Sequence, residues 1–568
     1  MSFFLLDSGI ATAELTKFVN FSMGKFIPEL ILTAGFLFAI ILDLLIKQKN
    51  AKKLVGYFAF IVLAAAFAMS WDQLAYFHGE IKDIPKWAGG KMIFPYSQTL
   101  PAPQLISPTE GFFAPFSMVV VDNLSVIFKM IISLAGMFVV GMSLLSREVE
   151  ERGSRNGEFF SLLLAMTLGM FLMPASMDLL MMYISLELVS ITSYIMAGFM
   201  KDSPRSTEAS MKYVLFGAFS SGLMIYGFSI LYGLTGSTNI MAIKAVLETQ
   251  FIAGSVNTVA LWTAVILSLV GMGYKISAAP FHFWTPDVYE GAPIPVTALL
   301  SVASKAGGFG LLMRFLFFAI PSNAQTMQPY LNWPIVLAVM SALTMTLGNF
   351  AALRQSNVKR MLAYSTIAHA GYMMVALVSV GAFQRLIGQD PGSPSNAGIT
   401  AILIYLISYL FTNLGAFYII MLIANKINSE ELEDYKGFAK RSPLLAVSLS
   451  LFLVSLTGIP LTVGFIGKFY IFISILKQPQ YLWLVVVMAL NSVVSLYYYV
   501  RVMQSMFIKQ ADAQTAPLLG AMEIQPDGTL RYSMMSKIFI FVFLIPTILF
   551  GIYFTPLVDF AGNAIRFF

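Results

Sequence analysis

The chain contains no cysteine and few charged residues, and both shortages narrow its possible functions. Without thiolate ligands it cannot hold a cysteine-bound zinc ion or iron–sulfur cluster. Its three histidines, His78, His282 and His369, are too few and too widely spaced for haem ligation. Charged residues account for 11% of the 568 residues and hydrophobic residues for 58%, whereas a soluble domain has about 25% charged residues. The composition therefore indicates an integral membrane protein without a redox centre of its own.

Long apolar stretches recur along the whole chain, and their length is what membrane-spanning helices require. The pattern predicts an all-α, polytopic membrane protein with about fourteen transmembrane helices and no soluble domain. The glycine-rich motifs of nucleotide-binding proteins are missing, so we expect no bound nucleotide. The predicted spans are residues 26–47, 52–70, 117–145, 158–175, 178–200, 206–233, 257–281, 294–320, 331–353, 359–381, 398–425, 443–476, 482–508 and 535–557.

The basic residues of the loops predict the orientation of the chain. One set of connecting loops carries roughly 18 lysine and arginine residues and the other set roughly nine. Because loops rich in basic residues stay in the cytoplasm, both termini are expected on the non-cytoplasmic side of a bacterial inner membrane. The net charge of +6 then reports topology in the lipid bilayer, and we expect no nucleic-acid partner. The 71–116 loop is expected outside, as an ordered cap.

When residues near span ends are set aside, four lysines and one glutamate stand out inside the predicted spans. A charged side chain at the bilayer centre costs about 2.5–3.5 kcal/mol on insertion scales, and such residues usually line ion pathways or wet cavities. Three of them also have an ordinary explanation: Lys212 or Lys275 could extend its ammonium to the headgroups, and Glu187 could be a protonated acid bonded to a neighbour. Their joint occurrence favours a pathway. The five residues are Glu187, Lys212, Lys275, Lys305 and Lys468.

Helix-breaking residues adjoin two of these lysines. Pro280 follows Lys275 by five positions, and its ring removes a backbone hydrogen bond. In "SLTGIPLTVGFIGKFY", Gly458 and Pro460 precede Lys468. Broken helices at membrane depth are tolerated where they line a cavity or a neighbouring protein, although a simple packing kink is the alternative at each place. Two broken, lysine-bearing segments in separate halves predict an inverted-repeat transporter with one site per half.

Proton transfer is the chemistry that these residues suit. Burial disfavours the protonated form of an amine, and a nearby carboxylate favours it. Glu187 and Lys212 could form a switchable ion pair whose opening affects Lys275, which then passes a proton onward. His282 is a possible relay because the imidazole pKa lies near neutrality, although a hydrogen-bonded core histidine fits equally well. His369, in "AYSTIAHAGYMM", is expected to be structural.

Three segments resemble one known family. They are "KISAAPFHFWTPDVYEGAPIPVTALLSVASKAGGFG", "NFAALRQSNVKRMLAYSTIAHAGYMMVAL" and "SLTGIPLTVGFIGKFYIF". They are similar to the antiporter-like subunits of proton-pumping NADH:quinone oxidoreductase, respiratory complex I, a family that also contains large subunits of multisubunit Na⁺/H⁺ antiporters. The resemblance covers about residues 117–508, with weaker support at "PELILTAGFLFAIILDLL". The stretch "FHFWTPDVYEGAP" resembles the subunit N branch most.

The resemblance implies a fold of fourteen helices with two inverted five-helix repeats, each containing one broken helix. It divides the chain into N-terminal helices with an external loop (1–116), a first antiporter-like half (117–320), a second half (321–508) and a C-terminal loop with a helix (509–568). The 71–116 loop and an insertion at 383–397 depart from the family pattern.

The resemblance also implies a role for each embedded charge. Glu187 and Lys212 would be the charge pair of the first half. Lys275 would be the central lysine on the first broken helix, and Lys305 would lie on the connecting route. Lys468 would be the lysine of the second half, on the second broken helix.

The implied function is that of a membrane-arm subunit that couples electron transfer to quinone, in partner subunits, to proton pumping. FMN, iron–sulfur clusters and quinone would bind to those partners, and this chain would bind no cofactor or metal. Its neighbours would be other antiporter-like and small membrane-arm subunits. Two alternatives stay open: a subunit of a Na⁺/H⁺ antiporter, and a purely structural subunit whose lysines are held in static ion pairs.

Overall fold

The architecture is seen in a computed structural model, which describes residues 26–46, 53–77, 118–150, 156–323, 329–381, 394–476, 478–509 and 532–563. Within these ranges regular structure is helical, and extended pairing is limited to isolated bridges between loops. The all-α prediction is confirmed. Helices suit a chain in hydrocarbon because they bond their backbone N–H and C=O groups within one segment.

The helices that build the fold are numbered in chain order. They are α1 (Ile27–Leu45), α2 (Lys53–Phe77), α3 (Asn123–Leu145), α4 (Asn156–Ala175), α5 (Leu179–Ala197), α6 (Pro204–Thr235), α7 (Ile240–Ile252), α8 (Thr258–Lys275), α9 (Trp284–Gly291), α10 (Ile294–Phe318), α11 (Trp333–Ala352), α12 (Val358–Gly381), α13 (Pro394–Ile427), α14 (Pro443–Thr457), α15 (Val463–Leu476), α16 (Leu482–Phe507), α17 (Met534–Ile552) and α18 (Thr555–Asn563).

The number of spans agrees with the prediction. In the described part of the chain, thirteen helices are long and apolar enough to cross a membrane, and one further span is divided into the shorter apolar helices α14 and α15. Fourteen spans result. Helix α2 continues to Phe77, beyond the predicted end at residue 70, because "WDQLAYF" contains no glycine or proline. The remainder of the predicted 71–116 cap lies outside the described residues, as does most of the 383–397 insertion.

Two groups of five spans have the same order, and the fourth span of each group is broken. The first group is α4, α5, α6, the α8–α9 pair and α10, and the second is α11, α12, α13, the α14–α15 pair and α16. The odd number of spans in a group turns the second group upside down relative to the first. This confirms the inverted repeat. Helices α10, α12 and α13 are buried along most of their length and form the centre of the bundle.

Each break contains a non-glycine residue in the left-handed backbone region. At the first break α8 ends at Lys275, and Ser277 has φ +63°. At the second break α14 is followed by Gly458 with φ +86°, and Leu461 has φ +73°. Such a conformation costs of order 1–3 kcal/mol per residue, so the surrounding packing must hold both breaks open. Both predicted breaks are confirmed.

The connecting loops separate into two faces. Val119 pairs with Ser176 on one face and Asn357 pairs with Glu431 on the other, which agrees with the sides that fourteen alternating spans require. We call the face with the basic loops the inner face and the opposite one the outer face. That the inner face is cytoplasmic stays a prediction from loop charge.

Single cysteines can test this orientation because the chain has none of its own. Lys201 is exposed at the inner face and Ser255 at the outer face. In intact cells, a membrane-impermeant maleimide is expected to label Ser255→Cys, and to label Lys201→Cys after the membrane is permeabilised. The opposite pattern would place both termini in the cytoplasm.

Candidate functional site

Lys275 lies at the first helix break, where 1% of its surface is exposed. Its Nζ donates a 3.4 Å hydrogen bond to the Ser190 hydroxyl of α5. Its stem packs beside Gly308 of α10, where a Cβ atom would lie 2.7 Å from Ile276 Cγ2 and 3.5 Å from Lys275 Cγ. Gly308 therefore lets the break approach α10 closely, and α10 is the helix that carries Lys305.

Glu187 lies one helical turn before Ser190 on α5. It is close enough to Lys275 for their charges to interact. Its Oε1 atom is buried and accepts no hydrogen bond from the described part of the chain. Because a buried polar oxygen without a donor is unfavourable, Glu187 can accept a cation or a proton at that atom.

Lys212 is bound to acids other than Glu187. Its side chain is 38% exposed, and its Nζ lies 2.7 Å from Glu208 Oε1 and 2.7 Å from Asp287 Oδ2. Glu208 precedes Lys212 by one turn on α6, and Asp287 lies on α9, the inner half of the broken span. The predicted Glu187–Lys212 pair is therefore open in this structure, because α9 brings a second acid to Lys212.

Asp287 also contacts the second half of the protein. Arg360 Nη1, at the start of α12, lies 2.7 Å from Asp287 Oδ1 and 2.7 Å from Glu290 Oε2. The resulting ion-pair network joins α6, α9 and α12, and we call it the inner-face network. Sequence reasoning missed it because residues at span ends were set aside. Its members are Glu208, Lys212, Asp287, Glu290 and Arg360.

Aromatic side chains hold α6 against the first break. Tyr213 stacks on Trp284 with ring centroids 4.3 Å apart, and its carbonyl accepts a 2.8 Å hydrogen bond from the Tyr274 hydroxyl. Trp284 Nε1 donates to the Tyr274 carbonyl at 3.0 Å. Because Tyr213 directly follows Lys212, these contacts fix the Lys212 backbone, while its flexible four-carbon stem can still rotate.

Lys305 lies in the middle of α10, with 1% of its surface exposed. Its Nζ donates a 2.5 Å hydrogen bond to the Thr366 carbonyl of α12. His369 follows Thr366 by one turn of α12 and lies within electrostatic range of both Lys305 and Lys468. Helix α12 therefore connects the lysine of the central helix with the lysine of the second break.

His369 was expected to be structural, which stays a prediction, and each of its ring nitrogens contacts a tyrosine hydroxyl. Its Nδ1 lies 2.5 Å from the Tyr405 hydroxyl and its Nε2 3.3 Å from the Tyr499 hydroxyl. A cavity of about 10 Å³ beside His369 and Lys468 has room for roughly one water molecule. A histidine with a phenol at each ring nitrogen can take up a proton on one side and release it on the other.

Lys468 lies just beyond the second break, on α15, and is 7% exposed. Its Nζ donates to the Thr457 carbonyl at 2.8 Å and to the Ser492 hydroxyl at 3.5 Å. The same atom lies 4.5 Å from the centre of the Tyr372 ring. A Cβ atom at Gly458 would lie 2.8 Å from Lys468 Cδ, so the glycine makes room for the lysine stem.

Buried cations fall into two classes according to their partners. Lys275, Lys305 and Lys468 donate to hydroxyl and carbonyl oxygens, and none has a carboxylate at ion-pair distance among the described residues. The other cations are neutralised by an acid, as buried charges usually are. Sequence reasoning overlooked these pairs, although two of the cations lie inside spans. The pairs are Lys129 with Glu29 at 2.5 Å, Arg314 with Asp122, and Lys359 with Glu430 at 2.7 Å.

His282, the predicted relay, lies in the turn between α8 and α9 and is 8% exposed. The sequence argument placed it about two helical turns beyond Lys275, but α8 ends at Lys275, so helical spacing does not apply. Its ring stacks on Phe283 with centroids 4.7 Å apart. Its buried Nδ1 has no hydrogen-bond partner within the described ranges. A relay role for His282 stays a prediction.

A larger cavity of about 450 Å³ opens at the inner face between loops of both halves. Lys359 lies at its wall, where its Nζ also donates to the Ala292 carbonyl at 3.0 Å. A polar cavity of this size can hold water, which would reach the first turn of α12, where Lys359 lies. Charged residues of its lining are Arg147, Glu148, Arg205, Glu290, Lys359, Glu430 and Glu431.

Comparison with known proteins identifies the family. Residues 176–495 match the family described as "NADH:quinone oxidoreductase/Mrp antiporter, TM". This chain belongs to that family of antiporter-like membrane subunits. NADH-quinone oxidoreductase subunit N 2 of Chloroherpeton thalassium is 46% identical over 465 residues, which are 81% of this chain and 84% of that protein. NADH-quinone oxidoreductase subunit N of Chlorobium chlorochromatii is 39% identical over 568 residues, 100% of this chain and 99% of the relative.

A solved structure agrees with the fold. A chain of respiratory complex I from Thermus thermophilus with bound aureothin superposes with a TM-score of 0.68 at 26% identity. The superposition covers 94% of this chain and 99% of that one. The similarity to membrane subunits of complex I therefore extends from sequence to architecture.

Breaking one buried ion pair tests whether the buried cations divide into those with and those without a carboxylate partner. Lys129→Met leaves the Glu29 carboxylate buried without a partner, so we expect a loss of about 3–5 kcal/mol of stability, seen as a lower unfolding temperature in detergent. Glu29→Gln combined with Lys129→Met removes both charges and should recover most of the loss. Lys53→Met, which breaks an exposed pair with Glu150, is the control with little effect. Equal unfolding temperatures for the Lys129 and Lys53 variants would contradict a buried pair.

Proposed function

We propose that this chain translocates protons as the antiporter-like subunit N of a complex I-type NADH:quinone oxidoreductase. The observation that carries the proposal is a set of three buried lysines with no carboxylate at ion-pair distance among the described residues. Lys275 and Lys468 lie at the two helix breaks, and Lys305 lies in the middle of α10. A relative that spans the whole chain is named subunit N, which favours this function over the antiporter alternative. Static ion pairs, expected of a purely structural subunit, occur at other cations.

Protons move by displacement along these side chains. Glu187 attracts a protonated Lys275, and when the carboxylate binds another cation this attraction is shared, so Lys275 releases its proton towards α10. A proton that arrives at Lys305 repels the positive charge that follows it along the route. The displaced proton passes by His369 to Lys468. These steps make and break N–H and O–H bonds alone, so they need no redox centre in this chain.

Partner subunits supply the redox chemistry in this proposal. FMN, iron–sulfur clusters and quinone bind there, and electron transfer between them provides the driving energy. In this chain, the described residues contain no group of three or more His, Asp or Glu side chains that could hold a metal ion. We place the chain in a bacterial inner membrane, beside other antiporter-like and small membrane-arm subunits, with both termini outside. The division of the chain into four regions, with boundaries after residues 116, 320 and 508, is also part of the proposal.

Substitution of Lys275 tests the proton-loading step. Lys275→Ala is expected to reduce the number of protons pumped per NADH oxidised to near zero in sealed vesicles, while the complex still assembles. Lys275→Arg keeps the positive charge but holds its proton at any physiological pH, so it should fail as well. Lys201→Ala, an exposed loop lysine, is the control. An unchanged proton-to-electron ratio in Lys275→Ala would rule out the role.

The subunits that copurify with the chain test the assignment to complex I. When a tagged chain is purified in mild detergent, we expect a large assembly that contains flavin and iron and reduces quinone with NADH. An assembly without redox cofactors, which instead builds a pH gradient from a sodium gradient without any electron donor, would replace this proposal with the antiporter alternative.

A further inference from the structure

We propose that Asp287 is a second docking partner for the Lys212 ammonium and holds it away from Glu187. The inference rests on the proposed proton translocation, because it names the residue that receives Lys212 when the Glu187–Lys212 pair is open. Asp287 is then a positioning residue, which acts on the proton route through Lys212.

Helix register makes Asp287 the near partner and Glu187 the far partner. Ser210 Oγ donates to the Tyr194 carbonyl at 2.9 Å, which fixes the antiparallel register of α5 and α6. The same register places Glu187 level with Gly217, about 7.5 Å deeper along α6 than Lys212 at 1.5 Å per residue. The Cα–Cβ bond of a helical residue tilts towards the helix N-terminus, which for α6 is the inner face. Lys212 therefore starts out directed towards α9, and its long stem must turn inward to meet Glu187.

The inner-face network can release Lys212 without leaving a buried acid unpaired. Asp287 keeps Arg360 at 2.7 Å, and Glu208 is 64% exposed and can be hydrated. Removing the sole partner of a buried charge is strongly unfavourable, but neither acid is in that position. The docked and released states of Lys212 can therefore be close in energy, as a switch between two states requires.

The position of Lys212 controls how Glu187 acts on Lys275. While Lys212 is docked on Asp287, the buried Oε1 of Glu187 has no hydrogen-bond donor in the described chain, and its charge acts on Lys275. When Lys212 reaches Glu187, two cations share one carboxylate, and the proton on Lys275 is held less firmly. Movement of one side chain is thus converted into release of a proton.

The reactivity of the Lys212 amine tests the proposal directly. In the purified complex, an amine-labelling reagent should modify Lys212 at a rate set by its 38% exposure, and mass spectrometry of peptides can follow this residue alone. In Asp287→Asn we expect Lys212 to move to the buried site beside Glu187 and to label about fivefold more slowly, the effect of losing one partly exposed ion pair. Adding Glu187→Gln should restore the faster rate.

Two further variants separate docking from general disturbance of α9. Asp287→Glu keeps the charge and should label as fast as the wild type. Glu290→Gln alters a carboxylate on the same helix that contacts Arg360, and Lys212 should again label at the wild-type rate. An unchanged or faster rate in Asp287→Asn would overturn the proposal.

A second measurement does not depend on the Asp287 variants. NADH turnover should slow Lys212 labelling in the wild type, because Lys212 then visits Glu187, and should leave the rate unchanged in Glu187→Gln. The same response in both proteins would overturn the docking role. If Lys275→Ala abolishes pumping but labelling shows no dependence on Asp287 or Glu187, the docking proposal fails alone. If labelling behaves as expected but Lys275→Ala pumps normally, the proposed function fails alone.

Discussion

The energetic cost of burying a positive charge in hydrocarbon determines which partners the cations of this protein have. Where a cation serves to hold helices together, an acid neutralises it, as Glu29 does for Lys129 between α1 and α3. Where the proposed function requires the charge to change, no carboxylate lies at ion-pair distance among the described residues, and weaker partners take its place. A salt bridge would fix the protonated form, because removing the proton would leave the acid buried and alone. That no carboxylate pairs with Lys305 or Lys468 in the described part of the chain therefore agrees with the proposed proton transfer.

The helix breaks supply these weaker partners. Lys275 is the last residue of α8, and Lys468 donates to the carbonyl of Thr457, the last residue of α14. The C-terminus of a helix carries a partial negative charge, which stabilises a nearby cation by roughly 0.3–1 kcal/mol and by up to about 2 kcal/mol when partly buried. That is less than a buried carboxylate provides. Both breaks therefore lower the cost of a proton on their lysine without fixing it there.

Features that depend on residues close together in the chain were predictable from the sequence. Apolar length gave fourteen spans, Pro280 and Gly458 marked the breaks, and isolated charges in apolar runs pointed to the lysines. Pairings between distant segments were not predictable. Asp287 lies 75 positions from Lys212, and nothing in either segment indicates that α9 folds back onto α6. The pair of Lys129 and Glu29 was not predictable for the same reason. The sequence around a charged residue inside a span does not show whether an acid from another helix pairs with it.

Rigid packing at the first break limits the ways in which the two halves of the protein can affect each other. Tyr213 and Trp284 are stacked, and both are hydrogen-bonded to Tyr274, while Gly308 allows α10 to pack tightly on the other side. Close-packed contacts of this kind resist continuous deformation, so large helix movements at this point would be unfavourable. Electrostatic interactions act without such movement, because Asp287 lies between Lys212 of the first half and Arg360 of the second. The two halves can therefore influence each other through the charge and position of side chains on a scaffold that stays in place.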